Sequence, residues 1–200
     1  MDDVKQEIAV AAAALVVDEG LDYGAAKQRA LRGLGLPART PLPDNLLVEA
    51  HVREHIAIFH ADTQPGELRA LRELALQWME RFSDYQPLIG GAVWHGTATA
   101  LNDLYLQLFA DDPKDIEIAL INQNLDYDAT TVTGLHGQPV EALTLVAHCP
   151  ALQSRVLVHL LVNDTLAQRG ALQPDEAGRK SRGDARALRN LLLESESSTL

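Results

Sequence analysis

The spacing of apolar residues divides the chain into a helical N-terminal part and a second part that begins with strands. Up to Phe82, apolar residues recur at steps of three and four, which is the period of an amphipathic helix. Beyond Pro87 they alternate with polar residues at steps of two, as in a half-buried strand. The helical period, with acids as caps and glycines as stops, predicts four helices: Asp3 to Glu19, Tyr23 to Arg32 after the cap Asp22, a helix capped by Asp44 that ends at Phe59, and Gly66 to Phe82.

Two central strands are predicted at Leu88 to Val93 and Asp103 to Phe109. In the second segment, leucines at 104, 106 and 108 alternate with Asp103, Tyr105 and Gln107, so the two sets face opposite sides of a sheet. We expect the two segments to be neighbours in one sheet, with the helix that ends at Phe82 packed across it. Later elements are strands at Ala129 to Thr133, Val140 to His148 and Arg155 to Asn163, and a helix from the cap Asp184 to Leu193.

These elements predict an α+β protein in which an N-terminal helical region, about residues 1 to 64, packs on a mixed-sheet core with flanking helices, about residues 65 to 200. The apolar fraction of 46% is sufficient to build a core. The apolar run Ile8 to Val17 follows acidic residues and is far shorter than the roughly 20 residues that span a bilayer. We therefore interpret it as part of an alanine-rich helix and expect no membrane association.

The charge and cysteine content limit the classes of partner and compartment. A net charge of −11 argues against general nucleic-acid binding, which depends on concentrated lysine and arginine. The single cysteine, Cys149, excludes an intramolecular disulfide and a cysteine-based zinc cluster, and it fits a reducing, cytoplasmic location.

One short motif formally matches a metal-binding signature. His51-Val52-Arg53-Glu54-His55 has the H-x-x-E-H spacing of some zinc peptidases. On a helix, however, His55 falls on the apolar stripe with Val48, Val52, Ile56 and Phe59, and Glu54 points away from that stripe. We therefore expect a buried, hydrogen-bonded His55, with His51 at the rim, and no structural zinc on this pair. His60 is expected at an exposed helix end, and His148 and His159 are interpreted as structural.

The stretch from Leu88 to Leu108, LIGGAVWHGTATALNDLYLQL, combines residues that suit phosphate chemistry. Gly96-Thr97-Ala98 can open a short helix, whose N–H groups are donors for phosphate oxygens. Asp103 begins the next strand, where its carboxylate could hold Mg²⁺.

This stretch resembles the nucleotidyltransferase superfamily, the DNA polymerase β-like fold. The family signature reads roughly hydrophobic-Gly-Ser, a few residues, Gly-Thr-Ala, and then Ser-Asp-hydrophobic-Asp. Gly96-Thr97-Ala98 and Asp103-Leu104 match it, with Gly91-Ala92 at the Gly-Ser positions and His95 where a basic residue commonly stands. In an alternative register, Gly90-Gly91 takes the Gly-Ser positions. The resemblance extends to nucleotidyltransferase-like proteobacterial proteins over most of the chain.

The resemblance implies a set of site residues and a Mg²⁺ cofactor. Nucleotide binding falls to Gly91, Ala92, His95, Gly96 and Thr97, and the catalytic and metal-binding carboxylates would be Asp103 and, from a later strand, Glu141. Asp111, Asp112 and Asp115 could also offer acids, but helix capping explains them better.

Three departures from the signature weaken the implied activity: Tyr105 replaces the second acid, Ala92 the serine of the phosphate cradle, and Asn102 the serine before the first acid. A phenol is a poor Mg²⁺ ligand at neutral pH. We expect a degenerate nucleotidyltransferase-like protein, weak or inactive in catalysis, that binds a nucleoside triphosphate or a protein partner. The alternatives are an active Mg²⁺-dependent nucleotidyltransferase that uses Asp103 and Glu141 with an atypical third ligand, and a protein-interaction module without a ligand. The oligomeric state is not encoded in any residue run.

Overall fold

The computed structural model describes residues 2 to 175 and 178 to 197 and confirms the α+β class, because the described residues form seven α-helices and a six-stranded mixed sheet. The chain divides into two compact units. The first contains the residues up to Leu68 together with Thr97–Asn102, and the second contains Arg69–Gly96 and the residues from Asp103 onward. None of the described helices is long and apolar enough to cross a membrane.

The first unit is built on three helices, α1 (Asp2–Glu19), α2 (Tyr23–Gly33) and α3 (Asn45–Phe59), close to the predicted bounds. The predicted caps form: Asp22 accepts a hydrogen bond from the Ala25 N–H, and Asp44 from the Leu47 N–H, each at 2.8 Å. Such caps satisfy N–H groups that have no partner inside the helix. The shared core consists of alanines and larger aliphatic residues of the three helices: Ile8, Ala9, Ala12, Ala13, Val17, Ala26, Ala30, Leu31, Val48, Val52 and Ile56.

The apolar stripe of α3 is shorter than predicted. Val48, Val52 and Ile56 are buried, but Phe59 is 66% exposed. Phe59 is the last residue of α3, and His60 after it leaves the helical conformation with φ −130° and ψ 17°. Phe59, which the periodicity places on this stripe, therefore lies at its exposed end, where α3 stops.

The second unit contains most of α4 (Gln64–Arg81) and the whole sheet. Its remaining elements are β1 (Leu88–Gly90), α5 (Gly91–His95), β2 (Leu104–Phe109), α6 (Lys114–Asn122), β3 (Asp128–Thr133), β4 (Pro139–Cys149), β5 (Ser154–Asn163), β6 (Arg182–Gly183) and α7 (Ala185–Ser197). The strand order is β3-β4-β5-β2-β1-β6. The pair β2 and β5 is parallel, and the other pairs are antiparallel. The prediction that β1 and β2 are neighbours is confirmed.

The segment between β1 and β2 differs from the prediction. The strand that begins at Leu88 ends at Gly90 instead of Val93, and α5 follows directly. Gly96 ends α5 in the left-handed conformation, with φ 88°, and its N–H donates to the Ala92 carbonyl at 2.9 Å. Gly96-Thr97-Ala98 therefore terminates a helix instead of opening one, because a left-handed glycine is a common C-terminal stop.

The alternation along the strands gives the sheet an inner and an open face. Leu104, Leu106 and Leu108 of β2 are fully buried on the inner face, as predicted. The pairing of Leu106 with Leu160 on β5, and of Leu160 with Leu143 on β4, extends this face across the sheet. The residues that alternate with these leucines along each strand point to the opposite side of the sheet, which we call the open face.

Truncating an inner residue of the second unit should destabilise that unit. Leu120 of α6 is 0% exposed, and we expect Leu120→Ala to lower the free energy of unfolding by about 2 to 5 kcal/mol, through lost burial and the cavity left behind. Urea unfolding followed by tryptophan fluorescence measures this, since both tryptophans, Trp78 and Trp94, belong to the second unit.

The matched control is Ile121→Ala on the same helix. Ile121 is 60% exposed, and its truncation should change the free energy of unfolding by no more than about 0.5 kcal/mol. Equal losses in the two variants would contradict the assignment of the inner side of α6.

Candidate functional site

Four side chains meet on the open face where β2, β5 and β4 lie side by side. The register pairs Tyr105 of β2 with His159 of β5, and His159 with Thr144 of β4. Asp103 precedes β2 by one residue and lies two residues from Tyr105, which places it on the same side. We refer to Asp103, Tyr105, Thr144 and His159 as the open-face cluster.

His159 is the centre of this cluster and bonds to two partners. Its Nε2 lies 3.0 Å from Asp103 Oδ2, and its Nδ1 lies 2.8 Å from Thr144 Oγ1. The carboxylate can only accept, so Nε2–H donates to Asp103. In the neutral imidazole Nδ1 is then an acceptor, and the Thr144 hydroxyl donates to it. Three strands are thereby connected by one continuous donor chain from Thr144 to Asp103.

Tyr105 covers His159 with its ring. The two ring centroids are 4.6 Å apart and the planes are inclined by 21°, which is a stacked arrangement. Tyr105 is 49% exposed, so the stacked pair presents an aromatic surface to solvent. The sequence correctly places Tyr105 on the side of Asp103, but it does not identify His159 and Thr144 as their neighbours.

Glu141, the expected second carboxylate, lies on the other face of the sheet. It pairs with Val162, which belongs to the inner face, and it is three residues from Thr144 on β4. An odd separation along a strand places two side chains on opposite faces. Partial burial raises the pKa of Glu141, and the neighbouring carboxylate of Glu117 raises it further. Asp103 and Glu141 therefore do not form one site, which corrects the expectation that they share a metal.

The strands beside β2 provide no replacement for Glu141. On the open face, β1 presents Leu88 and Gly90, and the residues of β5 next to His159 are Leu157 and Leu161. Asp128 of β3 shares the open face, but it is three strands from Asp103, about 14 Å. Mg²⁺ requires several oxygen ligands close together. The cluster, with one carboxylate bonded to an imidazole, does not fit Mg²⁺.

The residues expected to cradle phosphate are not gathered at a helix N-terminus. Gly91 and Ala92 lie in the first turn of α5, and Gly91 has φ 67°. His95 and Gly96 lie at the carbonyl end of α5, where the helix dipole is negative and disfavours phosphate. Thr97 is buried and belongs to the first unit. Of the two registers considered for the signature, Gly90-Gly91 spans the N-cap and the first residue of α5, and Gly91-Ala92 its first two residues.

The C-terminal end of α5 is fixed by structural contacts. Arg72 is buried, and its guanidinium donates to the carbonyls of Val93, at 2.9 Å, and Trp94, at 3.1 Å. Burial lowers the pKa of Arg72. A Cβ at Gly183 would lie 2.2 Å from the Trp94 ring, so the indole requires a glycine there. These contacts give α5 a structural role.

The two histidines of the H-x-x-E-H motif have separate partners in the first unit. His51 bonds through Nδ1 to Glu54, at 2.8 Å, and through Nε2 to Gln6, at 2.6 Å. His55 is instead half-buried and bonds to Asp18. Partial burial opposes ionisation of Asp18, but hydrogen bonds from His60 and His55 outweigh it and lower the Asp18 pKa. The hydrogen-bonded His55 is as expected, and the absence of zinc from the His51 and His55 pair stays a prediction.

Comparisons of the chain with family models, with curated proteins and with solved structures find no match. The nucleotidyltransferase resemblance therefore rests on the residues quoted from Gly90 to Leu104.

The position of Glu141 beside Glu117 generates a pH prediction. Because the pKa of folded Glu141 lies above its ordinary value of 4.5, ionisation of this group destabilises the folded state once the pH exceeds that folded pKa. Glu141→Gln should therefore raise the free energy of unfolding at pH 7, by less than about 1 kcal/mol because the group is partly solvated. The gain should fade as the pH falls towards 4.5, as measured by urea unfolding across this range.

The control is Glu7→Gln on the exposed surface of α1, which removes one charge without touching this pair. A similar gain in both variants would assign the effect to net charge. A gain for Glu141→Gln that grows at low pH would contradict the predicted sign.

Proposed function

We propose that this protein is a nucleotidyltransferase-like protein that has lost metal-dependent transfer and binds a nucleotide through the open-face cluster. The observation that carries the proposal is the state of Asp103, whose carboxylate accepts a hydrogen bond from His159 under the ring of Tyr105. A carboxylate that would coordinate a metal in an active enzyme is thus part of a hydrogen-bonded, aromatic surface.

The loss of transfer follows from the number and position of the acids. Two-metal catalysis requires carboxylates that align the attacking and leaving oxygens. With Tyr105 in the second position and Glu141 on the inner face, Asp103 is the one acid of the three that this mechanism would use. Moving the reacting atoms about 1 Å from their productive positions already lowers the rate on the order of a hundredfold. Loss of two ligands therefore supports an inactive protein over the alternative of an active enzyme.

Nucleotide binding is supported by the stacked ring pair. A base that stacks on an exposed aromatic side chain gains about 1 to 3 kcal/mol, and every base has a face for such a contact. The ring of Tyr105 is half-exposed, and one of its faces stacks on His159. Arg155 lies on the same face of β5, about 13 Å from His159 along the strand, a distance that a triphosphate could cover.

A protein partner is the second candidate, because apolar side chains surround the cluster. Val146 of β4 and Leu157 of β5 are exposed on the open face, next to Thr144 and His159 of the cluster. Contiguous exposed apolar surface is typical of protein interaction sites. The two candidates differ in their dependence on the aromatic ring, since a base requires the ring face and an apolar protein contact accepts an aliphatic side chain of similar size.

Binding is tested by titrating the full chain with each of the four common nucleoside triphosphates, with and without Mg²⁺, and measuring thermal shift and calorimetric affinity. We expect binding that does not require Mg²⁺. Tyr105→Phe keeps the ring and should keep the affinity, whereas Tyr105→Leu should weaken it about 5- to 150-fold through loss of stacking. Equal affinities of the Phe and Leu variants, or the absence of binding to any of the four, would contradict the nucleotide proposal.

Catalysis is tested with a labelled triphosphate and Mg²⁺. The wild-type protein should transfer no nucleotide above background. Tyr105→Asp should lose the stacking contact, and the nucleotide binding that remains should depend on Mg²⁺, because two carboxylates then share the open face. Tyr105→Asn is the matched variant without the charge. Robust transfer by the wild-type protein that is abolished by Asp103→Ala would contradict the proposed loss of catalysis. It would mean that another residue supplies the missing metal ligand.

A further inference from the structure

A second cluster, in the first unit, consists of Asp18 of α1, His55 of α3 and His60. The Nε2 atom of His55 lies 3.1 Å from both carboxylate oxygens of Asp18, and the Nε2 atom of His60 lies 3.0 Å from Oδ1. One potential ligand atom from each residue lies within 4.8 Å of the other two. Within residues 2 to 175 and 178 to 197, this is the one group of three or more histidines, cysteines or acids with such spacing.

The convergence of the two imidazoles depends on the end of α3. Residues five apart on a continuous helix are separated by about 140° around its axis, so they would face different directions. His60, however, is the C-cap of α3 and leaves the helix with φ −130° and ψ 17°. This turn brings its ring back towards His55, with 6.0 Å between the ring centroids.

We propose that Asp18, His55 and His60 form a binding site for one divalent transition-metal ion, with Zn²⁺ as the natural occupant. Two imidazoles and one carboxylate are a donor set that zinc accepts, with water in the fourth position. Mg²⁺ and Ca²⁺, which prefer oxygen ligands, fit this set poorly.

The nitrogen-to-oxygen distances support tetrahedral coordination. Ligand atoms at about 2.05 Å from a tetrahedral zinc are about 3.3 Å from one another. The nitrogen-to-oxygen distances of 3.0 and 3.1 Å are already close to this value. The ligand atoms of the three residues lie within 4.8 Å of one another, so the two imidazoles would close on the ion by adjusting their side chains. Asp18 is exposed and His60 is partly exposed, which gives an ion access from solvent.

The proposed site differs from the H-x-x-E-H motif. It uses His55 but excludes His51, whose two ring nitrogens bond to Glu54 and Gln6. It also recruits Asp18, 37 residues earlier in the chain than His55. A bound ion would fix the C-terminal end of α1 to that of α3, in addition to the alanine-rich core that packs α1 against α3.

The test is metal binding by the tag-free full-length protein after removal of metals with a chelator. Calorimetry with Zn²⁺ should show one equivalent per chain. Asp18→Asn and His60→Gln should each weaken the affinity at least about tenfold, because each removes a direct ligand. His51→Gln is the matched control on the same helix and should bind as the wild-type protein does. Circular dichroism verifies that each variant is folded.

Co²⁺ provides an independent measurement, since a tetrahedral nitrogen and oxygen site gives visible absorption that His60→Gln should abolish and His51→Gln should retain. Three results would overturn the proposal: no stoichiometric Zn²⁺ binding by the wild-type protein, wild-type affinity in both Asp18→Asn and His60→Gln, or loss of binding in His51→Gln. The last result would assign the metal to the H-x-x-E-H motif instead.

Discussion

The parallel pairing of β2 with β5 is the constraint on which the second unit depends. Because side chains alternate across a strand, one register decides every neighbour: with Leu106 opposite Leu160, the leucines face the core and Tyr105 must lie beside His159. A slip by one residue would expose the leucines and bury Asp103. The hydrophobic requirement therefore also fixes the open-face cluster, and it places Glu141, on β4, on the inner side.

The features that local sequence determines were predicted well. The helices capped by Asp22 and Asp44, and the alternation along β2, depend on residues within a few positions of one another. The role of Gly96 was missed because glycine fits both a phosphate-binding turn and a left-handed helix stop, and the choice depended on where α5 began. The sequence does not place His159 beside Tyr105, because no local pattern identifies β5 as the partner of β2. The two strands are 50 or more residues apart in the chain.

The two histidine groups of the first unit illustrate the same limit. H-x-x-E-H is recognisable because its spacing is local, yet His51 and His55 bond to different residues of α1. The cluster with Asp18 has no such spacing. It forms because α1 packs on α3 and because His60 departs from the helix, and sequence periodicity specifies neither of these. A motif search therefore finds His51 and His55, which have separate partners, and misses His60, which converges with His55 on Asp18.

The open face also shows how the carboxylate at the start of β2 is accommodated by its neighbours. The Asp103 carboxylate accepts a hydrogen bond from the His159 imidazole. This bond compensates for the partial burial of the carboxylate, so that no cation is required. The ring of Tyr105 packs on that imidazole, so the surface beside Asp103 is an aromatic face. Recognition by such a face depends on stacking and dispersion more than on charge, which suits a protein whose net charge of −11 disfavours binding through phosphates alone.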